Sequence, residues 1–125
     1  MRLLLDTRVF LWFLADSPKL TKKARARIGR AADVFVSAAS IWEATIKAGL
    51  GKLDADPAEL VAGIEASGFT ELPVAARHAA RVADVARAHR DPFDRLLLAQ
   101  AVEEPLRLLT ADGALAEYSE LVEVI

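Results

Sequence analysis

The sequence contains no cysteine, and histidine occurs only twice among its 125 residues. Without cysteine, disulfide bonds, thiolate nucleophiles and zinc–thiolate sites are all excluded. The two histidines, His78 and His89, are far apart in the chain and have no second pair, so a zinc–histidine site is not expected. The sequence also lacks a glycine-rich phosphate loop and a GxSxG motif. Carboxylates therefore remain the main candidates for chemistry.

Long apolar runs are missing as well. Residues Met1–Leu5 and Val9–Ala15 resemble parts of a signal peptide, but Asp6 and Arg8 separate them. Neither run approaches the length needed to cross a membrane. We therefore expect a cytoplasmic protein that makes no membrane contact.

The chain length corresponds to one domain, which we expect to span residues 1–125. Hydrophobic residues make up 54% of the sequence, which is above the average for globular domains. A parallel sheet covered by helices on both faces requires such a composition, because its strands are apolar throughout.

The net charge of -2 conceals an asymmetry between the two parts of the chain. Residues 1–52 contain ten Lys/Arg and four Asp/Glu, whereas residues 53–125 contain six Lys/Arg and fourteen Asp/Glu. Six of the basic residues fall in the segment Lys19–Arg30. This segment is either a surface that attracts a polyanion or an ordinary solvated helix face, and charge alone does not decide between them.

Short apolar runs alternate with amphipathic segments along the chain, which predicts a three-layer α/β/α sandwich with a central, mainly parallel sheet. The predicted strands are Leu3–Leu5, Val34–Val36, Phe69–Leu72, Leu106–Leu109 and Leu121–Ile125. The predicted helices are Thr7–Leu14, Lys22–Arg30 with Thr21 as N-cap, a helix from a capping box at Ser40–Glu43 to about Gly49, Pro57–Ser67, Ala75–Ala88, Pro92–Glu103 with Asp91 as N-cap, and a turn at Gly113–Tyr118.

Four acidic residues occupy positions that this alternation would bring together, namely Asp6, Glu43, Asp94 and Asp112. In an open parallel sheet, ligands bind outside the carboxyl ends of the strands. Two carboxylates about 4 Å apart repel by roughly 4 kcal/mol at an effective dielectric constant near 20, so such a cluster requires protons or a cation. Mg²⁺ prefers carboxylate oxygens, and with substrate phosphates it supports phosphodiester hydrolysis.

Each acid also has a structural interpretation as a helix cap. Asp6 and Asp112 could cap the segments that follow them, Asp94 suits the positive end of its helix, and Glu43 could complete a capping box with Ser40. Four caps at one edge of a sheet would, however, accumulate negative charge without compensation. The joint pattern therefore favours a metal site.

At these residues the sequence resembles PIN-domain ribonucleases, and more narrowly the VapC-type toxins of type II toxin–antitoxin systems. The similar stretches are collinear and cover nearly the whole chain. They are Leu4–Thr7, Val36–Glu43, Leu50–Leu53, Gly68–Phe69, His89–Ala101 and Leu109–Asp112.

The resemblance implies an endoribonuclease that depends on Mg²⁺ or Mn²⁺, forms a homodimer and is blocked by a cognate VapB-like antitoxin. By position, Asp6, Glu43 and Asp94 would be the main metal-ligating and catalytic acids, and Asp112 would be the fourth. Thr110 would orient a carboxylate or a water molecule.

Other residues near these motifs have less certain roles. Asp91 would lie beside the site, and Arg95 could pair with an acid or a phosphate. Arg8 departs from the VapC-type branch, which usually has histidine after Asp-Thr. His89 is expected to pack or to hydrogen-bond near the start of the helix at Pro92.

The sequence is also compatible with two alternative functions and with one surface for a partner. The chain could be a non-catalytic RNA- or protein-binding module that uses Lys19–Arg30, or a phosphatase of small phosphoesters. Large apolar residues could form a groove for a partner helix or could simply belong to the core. They are Phe10, Trp12, Phe13 and Trp42.

Overall fold

The structure, a computed structural model, describes residues 2–125. Its centre is a five-stranded sheet in the order β3-β2-β1-β4-β5, and every neighbouring pair of strands is parallel. The strands are β1 (Leu3–Leu5), β2 (Val34–Ser37), β3 (Thr70–Leu72), β4 (Arg107–Thr110) and β5 (Val122–Val124). All five predicted strands are confirmed, with shifts of at most one residue at their ends.

Six α-helices connect these strands. They are α1 (Thr7–Leu14), α2 (Lys22–Gly29), α3 (Ala38–Gly49), α4 (Pro57–Ala66), α5 (Ala76–Arg81) and α6 (Pro92–Glu103). Two 3₁₀ segments, Val82–Asp84 and Gly113–Glu117, follow α5 and β4. The predicted N-caps Thr21 and Asp91 are confirmed, since each side chain accepts a backbone hydrogen bond from its helix. Within residues 2–125, no helix is both long enough and apolar enough to cross a bilayer.

The sheet separates two hydrophobic clusters, because successive residues of a strand face opposite sides. Leu3 and Leu5 of β1 contribute to one cluster together with residues of α1, α2 and α4. Leu4 contributes to the other cluster, which includes Leu97 and Leu98 of α6. These two clusters confirm the predicted three-layer α/β/α sandwich.

The capping box predicted at Ser40 and Glu43 is wrong. Helix α3 begins at Ala38, and its N-cap is Ser37, which accepts a hydrogen bond from the backbone N–H of Ala39. Ser40 lies inside the helix, where its hydroxyl accepts a hydrogen bond of 2.9 Å from Thr7 Oγ1. An earlier serine with extended backbone geometry therefore caps α3, which moves Glu43 one turn deeper into the helix.

The long helix predicted over Ala75–Ala88 is also wrong. Helix α5 has only six residues, and Ala86 adopts a left-handed backbone conformation with φ of +45°. A tertiary contact explains the break, because Arg95 donates hydrogen bonds to the carbonyl oxygens of Val82 and Val85. These carbonyls bind a guanidinium on α6 instead of continuing the helix, so tertiary structure overrides the high helix propensity of alanine.

The apolar residues proposed as a partner groove divide into two groups. Phe10 is buried in the core, and Trp12 and Phe13 pack against it. Trp42 remains 61% exposed on α3 and makes an edge-to-face contact with Phe93 of α6. The core interpretation therefore applies to the residues of α1 but not to Trp42.

Candidate metal centre at the carboxyl edge of the sheet

The parallel sheet places the ends of β1, β2 and β4 side by side, and three of the four predicted acids follow from these ends. Asp6 comes directly after β1, and its backbone N–H donates to Leu109 O of β4 at 2.9 Å. Asp112 lies two residues beyond the end of β4, and Glu43 lies on α3, which begins directly after β2. Asp94 reaches the same region from the first turn of α6.

Asp6 is a buried carboxylate at the centre of this arrangement. It is 5% exposed, its Oδ1 accepts a hydrogen bond from the N–H of Arg8, and its Oδ2 accepts one from Thr110 Oγ1. Burial raises the pKa of Asp6 above its usual value, the hydrogen bond from Thr110 counteracts this in part, and the negative charge of Glu43 raises it further. Charging Asp6 is thus costly, and its two hydrogen bonds fix its orientation.

Asp94 is in a similar position at the N-terminus of α6. Burial is the main reason that its pKa is raised to about 6, and the charges of Asp91 and Asp6 raise it as well. The hydrogen bond from His89, whose Nε2 lies 2.9 Å from Asp94 Oδ2, acts in the opposite direction. Because the charge of Asp6 raises the pKa of Asp94, the acid that follows β1 and the acid on α6 lie in one region of the structure.

Asp112 is held by the turn that follows β4. Its Oδ1 accepts a hydrogen bond from the N–H of Ala114 at 3.0 Å, and its own N–H donates to Thr110 Oγ1 at 3.0 Å. Thr110 therefore contacts both Asp6 and Asp112, as an orienting residue should.

Three side chains form the tightest potential ligand group within residues 2–125. One atom each of His89, Asp94 and Asp112 lies within 4.8 Å of the others. Ligands about 2.1 Å from a Mg²⁺ ion in octahedral geometry lie roughly 3 to 4.2 Å apart, so this group is close to the required size. Asp6 and Glu43 are not members of the group and are linked to it through the electrostatic influence of Asp6 on Asp94.

Glu43 differs from the other three acids because it has a basic partner. It is 7% exposed, and its Oε2 forms an ion pair of 2.9 Å with Lys47 Nζ, one helical turn away. Its charge nevertheless raises the pKa of Asp6, so the two carboxylates are close enough to repel each other. Glu43 thus acts electrostatically on Asp6, and Asp6 on Asp94, while Asp94 and Asp112 belong to one potential ligand group.

This donor set fits a hard divalent cation. It consists mainly of carboxylate oxygens, and two of them, on Asp6 and Asp94, have pKa values raised by burial and by like charge. A dication relieves both costs, since an opposite charge at this distance favours the ionised form. Oxygen-rich sites of this kind suit Mg²⁺ and Mn²⁺.

The structure also gives positions for Asp91, Arg95 and Arg8, whose roles the resemblance left open. Asp91 caps α6 by accepting hydrogen bonds from the N–H groups of Phe93 and Asp94. Arg95 donates to the backbone carbonyls of Val85 and Val82, and within residues 2–125 it forms no ion pair with an acid. Arg8 is exposed next to Asp6, and its charge lowers the Asp6 pKa.

His89 forms the expected hydrogen bond near the start of α6, but sequence reasoning missed that it would join the acidic group. A histidine five residues before an acid, with a proline between them, fits many loop conformations. The turn at Ala86 positions His89, because the carbonyl of Ala86 accepts a hydrogen bond from the N–H of His89 at 2.8 Å.

Three solved structures illustrate the fold that this chain shares with other proteins. VapBC2 from Rickettsia felis, bound to a DNA fragment from their promoter, has a TM-score of 0.71 and 13% identity, with coverage of 99% of this chain and 98% of that chain. DNA-bound VapBC from Salmonella typhimurium has a TM-score of 0.70 and 17% identity, with coverage of 100% and 97%. FitAcB from Neisseria gonorrhoeae has a TM-score of 0.61 and 24% identity, with coverage of 88% and 87%.

Sequence comparison gives two further results. No curated protein is similar enough to this chain to count as a match. The family model of the PIN domain, in contrast, matches residues 3–121, which is almost the entire chain. The protein therefore belongs to the PIN domain family.

Proposed function

We propose that this protein is a Mg²⁺- or Mn²⁺-dependent endoribonuclease and that it is the VapC-type toxin of a type II toxin–antitoxin pair. The single observation that supports the nuclease activity most strongly is the convergence of Asp6, Asp94 and Asp112 on one sheet edge, with Glu43 beside Asp6. Membership of the PIN domain family supports the same conclusion.

In this proposal, Asp6, Glu43, Asp94 and Asp112 hold the cation. When bound there, the cation would neutralise charge on the scissile phosphate and make a nearby water molecule more acidic. Because the pKa of Asp94 is about 6, this carboxylate is mostly ionised at pH 7 and available as a ligand. The hydroxyl of Thr110 keeps Asp6 in one rotamer and at the same time supports the backbone of Asp112.

The proposed partner is an antitoxin of the VapB type. The similar structures from Rickettsia felis and Salmonella typhimurium are VapBC complexes, and another similar structure is a toxin–antitoxin complex from Klebsiella pneumoniae. At identities of 13% to 17%, the structural similarity shows a shared fold alone, and the pairing with an antitoxin is part of our proposal. Co-expression with an adjacent small reading frame should recover a stable complex, and failure to do so would argue against the toxin role.

Isosteric amides test the proposed nuclease. Glu43→Gln and Asp94→Asn each remove one negative charge while keeping side-chain shape, and we expect cleavage of structured RNA to fall by at least about 100-fold. Glu104→Gln, at the opposite end of α6, is the matched control and should cleave like the wild type. Sequencing the RNA ends produced with Mg²⁺, compared with Asp6→Asn, would identify the bonds that are cut.

The result that contradicts the proposal is full Mg²⁺-dependent cleavage by both purified variants. RNA binding that persists in EDTA without any cleavage would instead favour the non-catalytic binding module. Hydrolysis of a generic phosphoester but not of RNA would favour a phosphatase.

A further inference from the structure

His89 occupies a position between two of the acids that neither the fold nor the proposed reaction explains. Its Nε2 lies 2.9 Å from Asp94 Oδ2, and the two side chains are 13% and 18% exposed. Its ring also contacts Tyr118 edge to face, with ring centroids 5.8 Å apart. Tyr118 ends the 3₁₀ segment that Asp112 caps, so one imidazole touches both the Asp94 side and the Asp112 side of the centre.

We propose that His89 is a positioning residue of the metal centre. Its Nε2–H donates to Asp94 Oδ2 and leaves the other oxygen of Asp94 for the cation, while its ring packs on Tyr118 and fixes the segment that contains Asp112. This inference rests on the proposed function, because it assigns a task to His89 only if the acids bind a dication.

The alternative, that His89 itself ligates the metal, depends on which ring nitrogen is available to the cation. A histidine that binds a metal nearly always donates its other ring N–H to a carboxylate, a carbonyl or a water molecule, which fixes the ring. Within residues 2–125, Nε2 has a carboxylate partner, but Nδ1 has no hydrogen bond to any protein group. The bond between Nε2 and Asp94 is therefore incompatible with ligation through Nε2 but compatible with ligation through Nδ1, and the titrations below separate ligation from positioning.

Asp94 needs such a donor because its surroundings otherwise push it away from the centre. Asp91 and Asp6 both repel its charge, and within residues 2–125 no lysine or arginine forms an ion pair with it. Free rotation would let the carboxylate turn towards water and away from Asp6. A fixed N–H donor on Oδ2 opposes this rotation, and the removal of such outer partners typically weakens metal binding by about 10- to 100-fold.

The test is a calorimetric titration of the metal-free protein with Mn²⁺ and, separately, with Mg²⁺, in the absence of RNA. His89→Leu removes the donor, and we expect both dissociation constants to rise by about 10- to 100-fold. His89→Gln retains an N–H donor at a similar reach, and it should restore both affinities to within a few-fold of the wild type. Wild-type affinity in His89→Leu would overturn the proposal.

The ratio of the two affinities separates positioning from ligation. A positioning residue acts through Asp94, so the preference between Mn²⁺ and Mg²⁺ should be the same in all three proteins. If His89→Gln is as weak as His89→Leu, and the loss is selective for Mn²⁺, the ring nitrogen is a ligand and the proposal is wrong.

A double variant provides the second control. Misfolding caused by His89→Leu would lower the affinity in any background, whereas an effect that acts through Asp94 would not. In an Asp94→Asn background, the additional change His89→Leu should cause little further loss of Mn²⁺ affinity, because the residue through which it acts has lost its charge. Independent losses that multiply would contradict the proposal.

The experiment also distinguishes this inference from the proposed function. Wild-type protein that binds Mn²⁺ in a His89-dependent manner but cuts no RNA would refute the nuclease and leave the inference standing. Wild-type protein that binds neither dication would overturn both.

Discussion

The two ends of helix α6 contain acidic residues in opposite electrostatic surroundings. At the C-terminal end, Glu103 pairs with Arg81, and Glu104 pairs with both His78 and Arg77. At the N-terminal end, Asp94 has a hydrogen bond to His89 but lies close to the negative charges of Asp91 and Asp6.

The pKa values follow these partners and not the helix dipole. The dipole favours negative charge at the N-terminus of a helix and disfavours it at the C-terminus, by about 0.3 to 1 kcal/mol. Nevertheless, the pKa of Asp94 is raised to about 6 by burial, and the pKa of Glu104 is lowered by its hydrogen bonds to His78 and Arg77. Burial and neighbouring groups therefore outweigh the helix dipole at both ends of α6.

The largest expected effect on stability comes from removing a buried hydrogen-bond partner at the C-terminal end of α6, where the acids have basic partners. His78 is 1% exposed, its Nδ1 accepts the N–H of Ala75 at 2.9 Å, and its Nε2 lies 2.6 Å from Glu104 Oε2. His78→Leu leaves the N–H of Ala75 without its acceptor and Glu104 without its buried donor. We expect the free energy of unfolding to fall by about 2–4 kcal/mol, as measured by urea denaturation.

A control for this change is Glu104→Gln, which removes the charge but leaves an acceptor for His78 and should cost less. A loss below about 1 kcal/mol in His78→Leu would show that this histidine does not hold α5 against α6.

Binding of a cation should have the next largest effect on stability, because it would neutralise the carboxylate charges near the N-terminal end of α6. At a free Mn²⁺ concentration of 100 times the dissociation constant, binding to the native state alone stabilises it by about 2.7 kcal/mol. We expect this gain in thermal unfolding experiments on the wild type and on Glu104→Gln. In Asp94→Asn the same Mn²⁺ concentration should give a much smaller gain, and an undiminished gain would place the metal elsewhere.

Removing the charge of Asp94 should stabilise the metal-free protein in a pH-dependent manner. Because its folded pKa of about 6 lies above the model-peptide value, its contribution to stability is fully present below about pH 3.8 and is lost as the pH rises through 6. Asp94→Asn should therefore be more stable than the wild type at pH 8 by about 1–2 kcal/mol, after allowance for partial exposure. The difference should shrink at pH 5.

Thermal unfolding in EDTA at the two pH values measures this difference. Asp94→Asn that is less stable than the wild type at pH 8 would mean that His89 already compensates the carboxylate. In that case the contrast between the two ends of α6 would be smaller than the pKa of Asp94 implies.

Much of this architecture follows from local patterns in the sequence. The runs Leu3–Leu5 and Val34–Val36 are short and apolar, which is typical of strands buried on both faces, and Pro92 after Asp91 marks the start of α6. The position of Asp6 directly after β1 is what predicts its location at the carboxyl edge. These features depend on residues that are close together in the chain.

The features that sequence reasoning missed depend on distant contacts. The end of α5 is decided by Arg95, thirteen residues beyond Val82, and not by the alanines of the segment itself. The inclusion of His89 in the acidic group depends on the path of the loop after Ala86. Neither contact leaves a periodic or capping signal, so the local sequence could not reveal it.

The smallest expected effect on stability comes from replacing the exposed basic partner of Glu104. Arg77 has a side chain that is 59% exposed, and it shares Glu104 with the buried His78. Because exposed ion pairs contribute little and Glu104 keeps its buried donor, Arg77→Ala should lower the free energy of unfolding by less than about 1 kcal/mol. The loss should decrease further in high salt, whereas the loss in His78→Leu should not. If Arg77→Ala is as damaging as His78→Leu in urea denaturation, the two residues act as one unit, and compensation at this end comes from the whole cluster instead of from one buried hydrogen bond.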